Sequence, residues 1–205
     1  MNELFPLIAF GFVAGVTPGP NNTLLMISGA NWGFRATLPL LSGIVLGFPL
    51  MIFAIGMGLN GVFVAWPVLH TVLKVVGVAY MLVLAWKVAR SGGPNRHDSR
   101  ESGEEGRTKK RPLNFFMAVA LQWVNPKGWM IAVTATSVYL PSGNHTLGMV
   151  SRLALVFLLL AIPCSLVWCV FGTALARFLD TGRRIRVFNA TMAVLLVLSL
   201  IPILF

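Results

Sequence analysis

The chain has 205 residues, of which 57% are hydrophobic and only 11% charged, with a mean hydropathy of +0.81. Soluble domains carry about one quarter charged residues, so this chain has too little charge to cover a water-facing surface and is expected to be an α-helical integral membrane protein. The net charge of +10 is gathered in short segments between apolar stretches, which argues against a nucleic-acid groove and for cytoplasmic loops.

A span needs about 20 largely apolar residues, and the sequence offers six such stretches. The first runs from about Leu4 to Ser28. It begins Met1-Asn2-Glu3 without a basic segment and continues too far for a secretory signal, so it is expected to be a retained first helix. The second covers about Ala36 to Leu59, the third Trp66 to Ala89 and the fourth Leu113 to Leu140. The fifth covers Leu147 to Leu175 and the sixth Val187 to Phe205. These group as one membrane domain (1–205) with a three-helix half at 1–89, a basic loop at 90–112 and a second half at 113–205.

The loop from Arg90 to Arg111 mixes Gly, Ser, Pro and charges of both signs without an apolar face, and reads as a solvated linker. Its His97 and acidic residues lack metal-ligand spacing. Lys and Arg set the orientation. They crowd the segment Lys87–Arg111, the connection with Arg177, Arg183, Arg184 and Arg186, and the first turnaround at Arg35. The connections near Asn60 and at 141–145 carry none. Both termini are therefore expected outside, with the basic loops in the cytoplasm of a multi-pass protein of a bacterial inner membrane.

Two spans carry interruptions. The first contains Thr17-Pro18-Gly19-Pro20-Asn21-Asn22 and the fourth Gln122-Trp123-Val124-Asn125-Pro126-Lys127-Gly128. Proline lacks an N–H and clashes with the preceding turn, and the residue before it is driven out of the α region. Both helices should break there. Backbone groups freed inside a bilayer cost several kcal/mol each unless protein or a wet cavity satisfies them. Asn21, Asn22, Gln122 and Asn125 supply amides at that depth. Lys127, which costs about 2.5–3.5 kcal/mol at mid-helix, needs a partner or water.

Each interruption lies in the first helix of its half, and three helices per half invert the second half relative to the first. Such paired broken helices point to the binding site of a secondary transporter. The new helix N-termini suit a carboxylate. Other features read as structural. Gly29, Gly33, Gly43 and Gly47 are expected to allow close helix packing. Pro39, Pro49 and Pro163 are candidate kinks, Pro163 standing beside Ser165. Cys164 and Cys169 read as small apolar residues. Lys74 is expected to snorkel, and His70 and His145 to lie near the outer surface.

The run from Gly15 to Gly47, with Pro18-Gly19-Pro20-Asn21 and Gly33-x-Arg35, resembles the opening of the LysE/RhtB family of bacterial amino-acid exporters. Asn125-Pro126-Lys127 and the stretch Ala79–Lys87 fit as well, and the resemblance covers essentially the whole length. It implies export of an amino acid or close derivative from the cytoplasm, driven by the proton-motive force. More distant members of the superfamily export metal ions.

No Asp or Glu lies within an expected span: Glu3, Asp98, Glu101, Glu104, Glu105 and Asp180 are terminal or in loops. That disfavours a metal ion, which wants hard oxygen or imidazole ligands, and a strongly cationic substrate. A neutral, zwitterionic amino acid is expected. Pro18, Gly19, Pro20, Asn21, Asn22, Gln122, Asn125, Pro126 and Lys127 are the candidate substrate-binding residues, with no catalytic residue, metal or cofactor. An enzyme would need a nucleophile–base pair or metal ligands, which the spans do not offer. An exporter of another small solute or of a metal ion, and a non-transporting scaffold subunit, stand as alternatives. A homodimer is compatible with the sequence, which does not decide the oligomeric state.

Overall fold

The structure is a computed structural model and describes residues 4–59, 65–90, 113–141, 146–179 and 182–201. The basic loop, His145 and all six acidic residues lie outside the described residues. Among the described residues the chain is all-helical. Helix α1 is Leu4–Val16, α2 Pro20–Trp32 and α3 Phe34–Ala54, the last extended by a π-helical turn at Ile55–Leu59. Then follow α4 (Pro67–Ala89), α5 (Phe115–Trp123), α6 (Pro126–Tyr139), α7 (Leu147–Leu175) and α8 (Gly182–Leu198).

Three helical segments are long and apolar enough to cross a membrane: Phe34–Leu59, Thr71–Ala89 and Leu147–Leu175. The pair α1–α2, bent by 50°, qualifies as a fourth when taken together. The remaining two apolar stretches are shorter as helices. The fourth stretch is divided into α5 and α6, and α8 has 17 residues. Large apolar side chains face outward, with Phe5 80% and Phe116 79% exposed. In water such a surface would be a liability; against lipid tails it is not.

The helix ends follow local chemistry. Pro20 and Pro126 each occupy the first turn of a helix, where the missing N–H has no intrahelical partner anyway. Asn114 and Thr146 cap α5 and α7, their side-chain oxygens accepting from Met117 N–H (2.9 Å) and Met149 N–H (3.4 Å). Pro39, Pro49 and Pro163 lie inside continuous helices.

Three expectations are corrected. Gly33 makes no helix contact: it ends α2 with φ +82 and nothing within 4 Å of an added Cβ, a backbone region where side chains are strained. Arg35 stands in the first turn of α3, because the turnaround is a single residue. Arg183, Arg184 and Arg186 belong to α8, where they are exposed, while Ile185 between them is buried. The packing reading holds for the other three glycines: an added Cβ would lie 2.5 Å from Cys169 O at Gly29, 2.5 Å from Phe115 O at Gly43 and 3.0 Å from Gln122 Cγ at Gly47.

Helix α7 packs on α1, α2 and α3, α3 packs also on α5 and α6, and α4 packs on α8. Two apolar cores result. One gathers Leu24, Leu25, Leu40, Ala118, Leu121, Cys169 and Leu196, and the other Leu7, Met51, Ile52, Ala132, Val150 and Phe157.

Candidate functional site

Breaking a helix orphans the carbonyls of its last turn, and at the first break each finds a side chain. Asn22 donates through Nδ2 to Gly15 O (2.7 Å) and Thr17 O (2.9 Å). The Trp168 indole N–H donates to Val16 O (3.2 Å). Lys127 Nζ donates to Thr17 O (2.8 Å), Thr17 Oγ1 (2.8 Å) and Pro18 O (3.3 Å). The partner that an intramembrane lysine requires is thus the negative end of α1 rather than a carboxylate.

Gly19 is what lets the lysine in. A Cβ there would lie 2.7 Å from Lys127 Cδ and 3.1 Å from Nζ, so any larger residue would displace the stem. Beside it, Asn21 Nδ2 donates to Gln122 Oε1 (2.7 Å). Gln122, fully buried, also donates to Ala118 O (2.8 Å). The two breaks, about a hundred positions apart in sequence, are therefore tied to each other at two points.

The second break closes differently. Val124 N–H donates to Leu121 O and Asn125 N–H to Gln122 O, each at 3.2 Å. Trp129 Nε1 donates to Trp123 O (2.8 Å). The carboxamide of Asn125 is left over: the residue is 3% exposed, and its Oδ1 has no hydrogen-bond partner among the described residues.

Between the breaks lies a cavity of about 70 Å³. That is several times the roughly 10–15 Å³ that holds one water, and suits a solute of few heavy atoms. Gly19, Asn21, Asn22, Asn125 and Lys127 line its polar side, with Phe48, Ile131 and Phe157 on the apolar side. The Phe48 and Phe157 rings meet edge to face at 5.8 Å. Of the expected site residues, Gly19, Pro20, Asn21, Asn22, Asn125 and Lys127 line this cavity. Pro18 and Gln122 stand behind it as hydrogen-bond partners of Lys127 and Asn21, and Pro126 shapes the start of α6.

The model of the LysE-type translocators matches residues 12–201, which takes in both breaks and every helix that lines the cavity. The chain belongs to the LysE-type translocator family. It is 30% identical over 190 residues to the cysteine/O-acetylserine efflux proteins of Escherichia coli (strain K12) and Shigella flexneri. The similarity covers 92% of this chain and 90% of each relative. No solved structure matches it.

Three residues of this LysE-type translocator that bear on the site were not among the expected site residues: Cys164 and Ser165 line the cavity, and Thr17 stands outside its lining. Thr17 holds the lysine. Cys164 and Ser165, both buried, bring the middle of α7 to the cavity. Pro163 beside them was the available signal, since a proline in mid-helix frees a carbonyl and marks an irregular stretch. Cys169, by contrast, lies in the apolar core.

Proposed function

We propose that this LysE-type translocator exports a small neutral amino acid or a close derivative of one from the cytoplasm across the inner membrane, binding it in the cavity between the two breaks. The observation that carries this is the convergence of both interruptions on one small cavity with a polar and an apolar side. Open backbone and amides at membrane depth are kept only where they line a binding path. Among the described residues the cavity wall has one cation and no carboxylate, which favours a zwitterion over a cationic substrate. The relatives named for cysteine and O-acetylserine, both zwitterions, support the same class.

The proposed architecture is six spans in two inverted halves, 1–89 and 113–205, with both termini outside and the loop 90–112 in the cytoplasm. The helix contacts support it. Exchanging α1–α2 with α5–α6, α3 with α7 and α4 with α8 turns the α1–α2 contact with α7 into the α5–α6 contact with α3. It leaves the α3–α7 and α4–α8 contacts in place. Transport then proceeds by rocking one half against the other about the breaks, drawing on the proton-motive force.

The test is efflux from proteoliposomes over a panel of labelled amino acids with an imposed pH gradient. Saturable, gradient-sensitive movement of a small neutral amino acid is the expected result. Movement of lysine or arginine alone, or of no amino acid by folded protein, would overturn the reading.

A further inference from the structure

We propose that the Asn125 carboxamide and the open first turn of α6 recognise the main chain of the transported amino acid. The side-chain oxygen accepts from the substrate ammonium, and the side-chain NH₂ with the α6 backbone N–H groups donates to its carboxylate. This rests on the exporter reading above and adds an orientation and a selectivity to it.

Asn125 is the exception among the buried carboxamides. Asn22 donates to two carbonyls of its own break, and Gln122 donates to Ala118 O and accepts from Asn21 of the other break. Asn31 and Asn189 pair reciprocally at 3.0 and 3.2 Å. Asn125 is as buried as these, yet Oδ1 has no partner among the described residues. A buried polar group without a partner is rare in folded proteins, and the residue that carries this one is part of the cavity wall.

Its position sharpens the point. Asn125 is the N-cap residue of the 14-residue helix α6 but makes no side-chain capping bond, although Asn114 and Thr146 do so at α5 and α7. Pro126 has no N–H, so the N–H groups of Lys127 and Gly128 stand at the open end of α6, where Trp129 N–H is the first to be taken, by Asn125 O. Gly128 adds no side chain to that end, where a Cβ would lie 3.2 Å from Met51 Cε and 3.6 Å from Asn125 Nδ2. A helix N-terminus favours an anion, and a carboxamide offers a donor and an acceptor side by side. A zwitterion presents the complementary pair. The carbonyls at the end of α1 are already committed to Lys127 and Asn22, so Asn125 supplies the acceptor for the ammonium.

The experiment is counterflow of labelled L-cysteine, kept reduced, into proteoliposomes. Unlabelled L-cysteine, N-acetyl-L-cysteine and L-cysteine methyl ester serve as competitors. With wild-type protein, blocking either the ammonium or the carboxylate should weaken competition about tenfold or more, the scale of one lost charged hydrogen bond. Asn125→Leu should raise the half-saturating concentration about tenfold and erase the discrimination against N-acetyl-L-cysteine. Asn125→Asp, the same shape without the donor, should keep that discrimination and lose the one against the methyl ester.

Wild-type half-saturation and selectivity in both variants would overturn the assignment while leaving the exporter reading intact. So would a wild-type protein that takes both blocked forms as readily as cysteine, a result that does not depend on either variant folding. No counterflow of cysteine or of any other small neutral amino acid of the panel by folded wild-type protein would overturn the exporter reading and this assignment with it.

Discussion

The ammonium of Lys127 donates to both oxygens of Thr17, the carbonyl and the hydroxyl, each at 2.8 Å. The two residues begin on opposite sides of two separate helix breaks. A cation from the first turn of α6 thereby neutralises the C-terminal end of α1, where the aligned peptide dipoles leave partial negative charge. The pairing answers two costs at once: a half-buried ammonium, and carbonyls without partners.

Replacing that lysine should therefore damage both fold and transport. Lys127→Ala removes charged hydrogen bonds worth about 2–3 kcal/mol together and should lower the thermal midpoint of the purified protein. Efflux should fall at least about tenfold. Gly19→Ala should act in the same direction but less, because its Cβ would lie 2.7 Å from Lys127 Cδ, on a flexible stem that can shift. The double variant should be little worse than Lys127→Ala alone, since residues in contact are not additive. Additive losses in a melting and efflux series would show that glycine and lysine act separately.

Gln122 is the second tie between the breaks, and Gln122→Leu should cost about 1–3 kcal/mol. It removes the acceptor for Asn21 Nδ2 and the second donor to Ala118 O. Asn21→Ala, on a half-buried residue, should cost less. Melting of the two single variants and the double checks this. A Gln122→Leu protein as stable as wild type would mean that the inter-break hydrogen bond contributes nothing.

What the sequence could show was local. Proline acts within one turn, so both breaks fall at the positions expected from Pro18–Pro20 and Pro126, and the apolar run Leu147–Leu175 coincides with α7. What it could not show was pairing across the chain. Nothing around Lys127 says that its partner is Thr17 O, and nothing around Asn125 says that its side chain will not cap α6. Cys164 and Ser165 reach the cavity only because Gly15 and Gly11 let α1 approach α7: a Cβ at Gly15 would stand 3.0 Å from Cys164 Sγ. Charge misled at Arg183–Arg186. Arginines on an exposed helix face look like loop residues when the buried Ile185 and Phe188 between and after them go unweighed.

The proposed orientation predicts a labelling pattern. In a background without Cys164 and Cys169, a cysteine at Ser142 should react with an impermeant maleimide on intact cells. One at Ser102 should react only after lysis. Lys and Arg in the loops set this. Lys74 and Arg152, exposed within α4 and α7, fall towards the opposite side in this reading and are outnumbered by the basic residues of Lys87–Arg111 and Arg177–Arg186. The reverse pattern would invert the protein, and labelling of both sites from outside would break the alternation that six spans require.

Gly172 should be the least replaceable glycine of α7. A Cβ there would overlap the Met26 carbonyl oxygen and lie 2.8 Å from Met26 Cα. Those are backbone atoms of α2, which cannot rotate aside, so the helices must part. On the facing side Gly29 is equally tight, with Cys169 O at 2.5 Å and Thr173 N at 3.0 Å. Overpacking of this kind costs about 1–3 kcal/mol, so Gly172→Ala should lower the melting temperature and the yield of monodisperse protein. Gly182→Ala, with nothing within 4 Å, should leave both unchanged. Ser165 lies two helical turns before Gly172 on α7, so parting α2 from α7 also shifts the cavity wall. Transport per folded molecule should fall in Gly172→Ala and not in Gly182→Ala. Equal transport in the two would show that the cavity does not depend on this crossing.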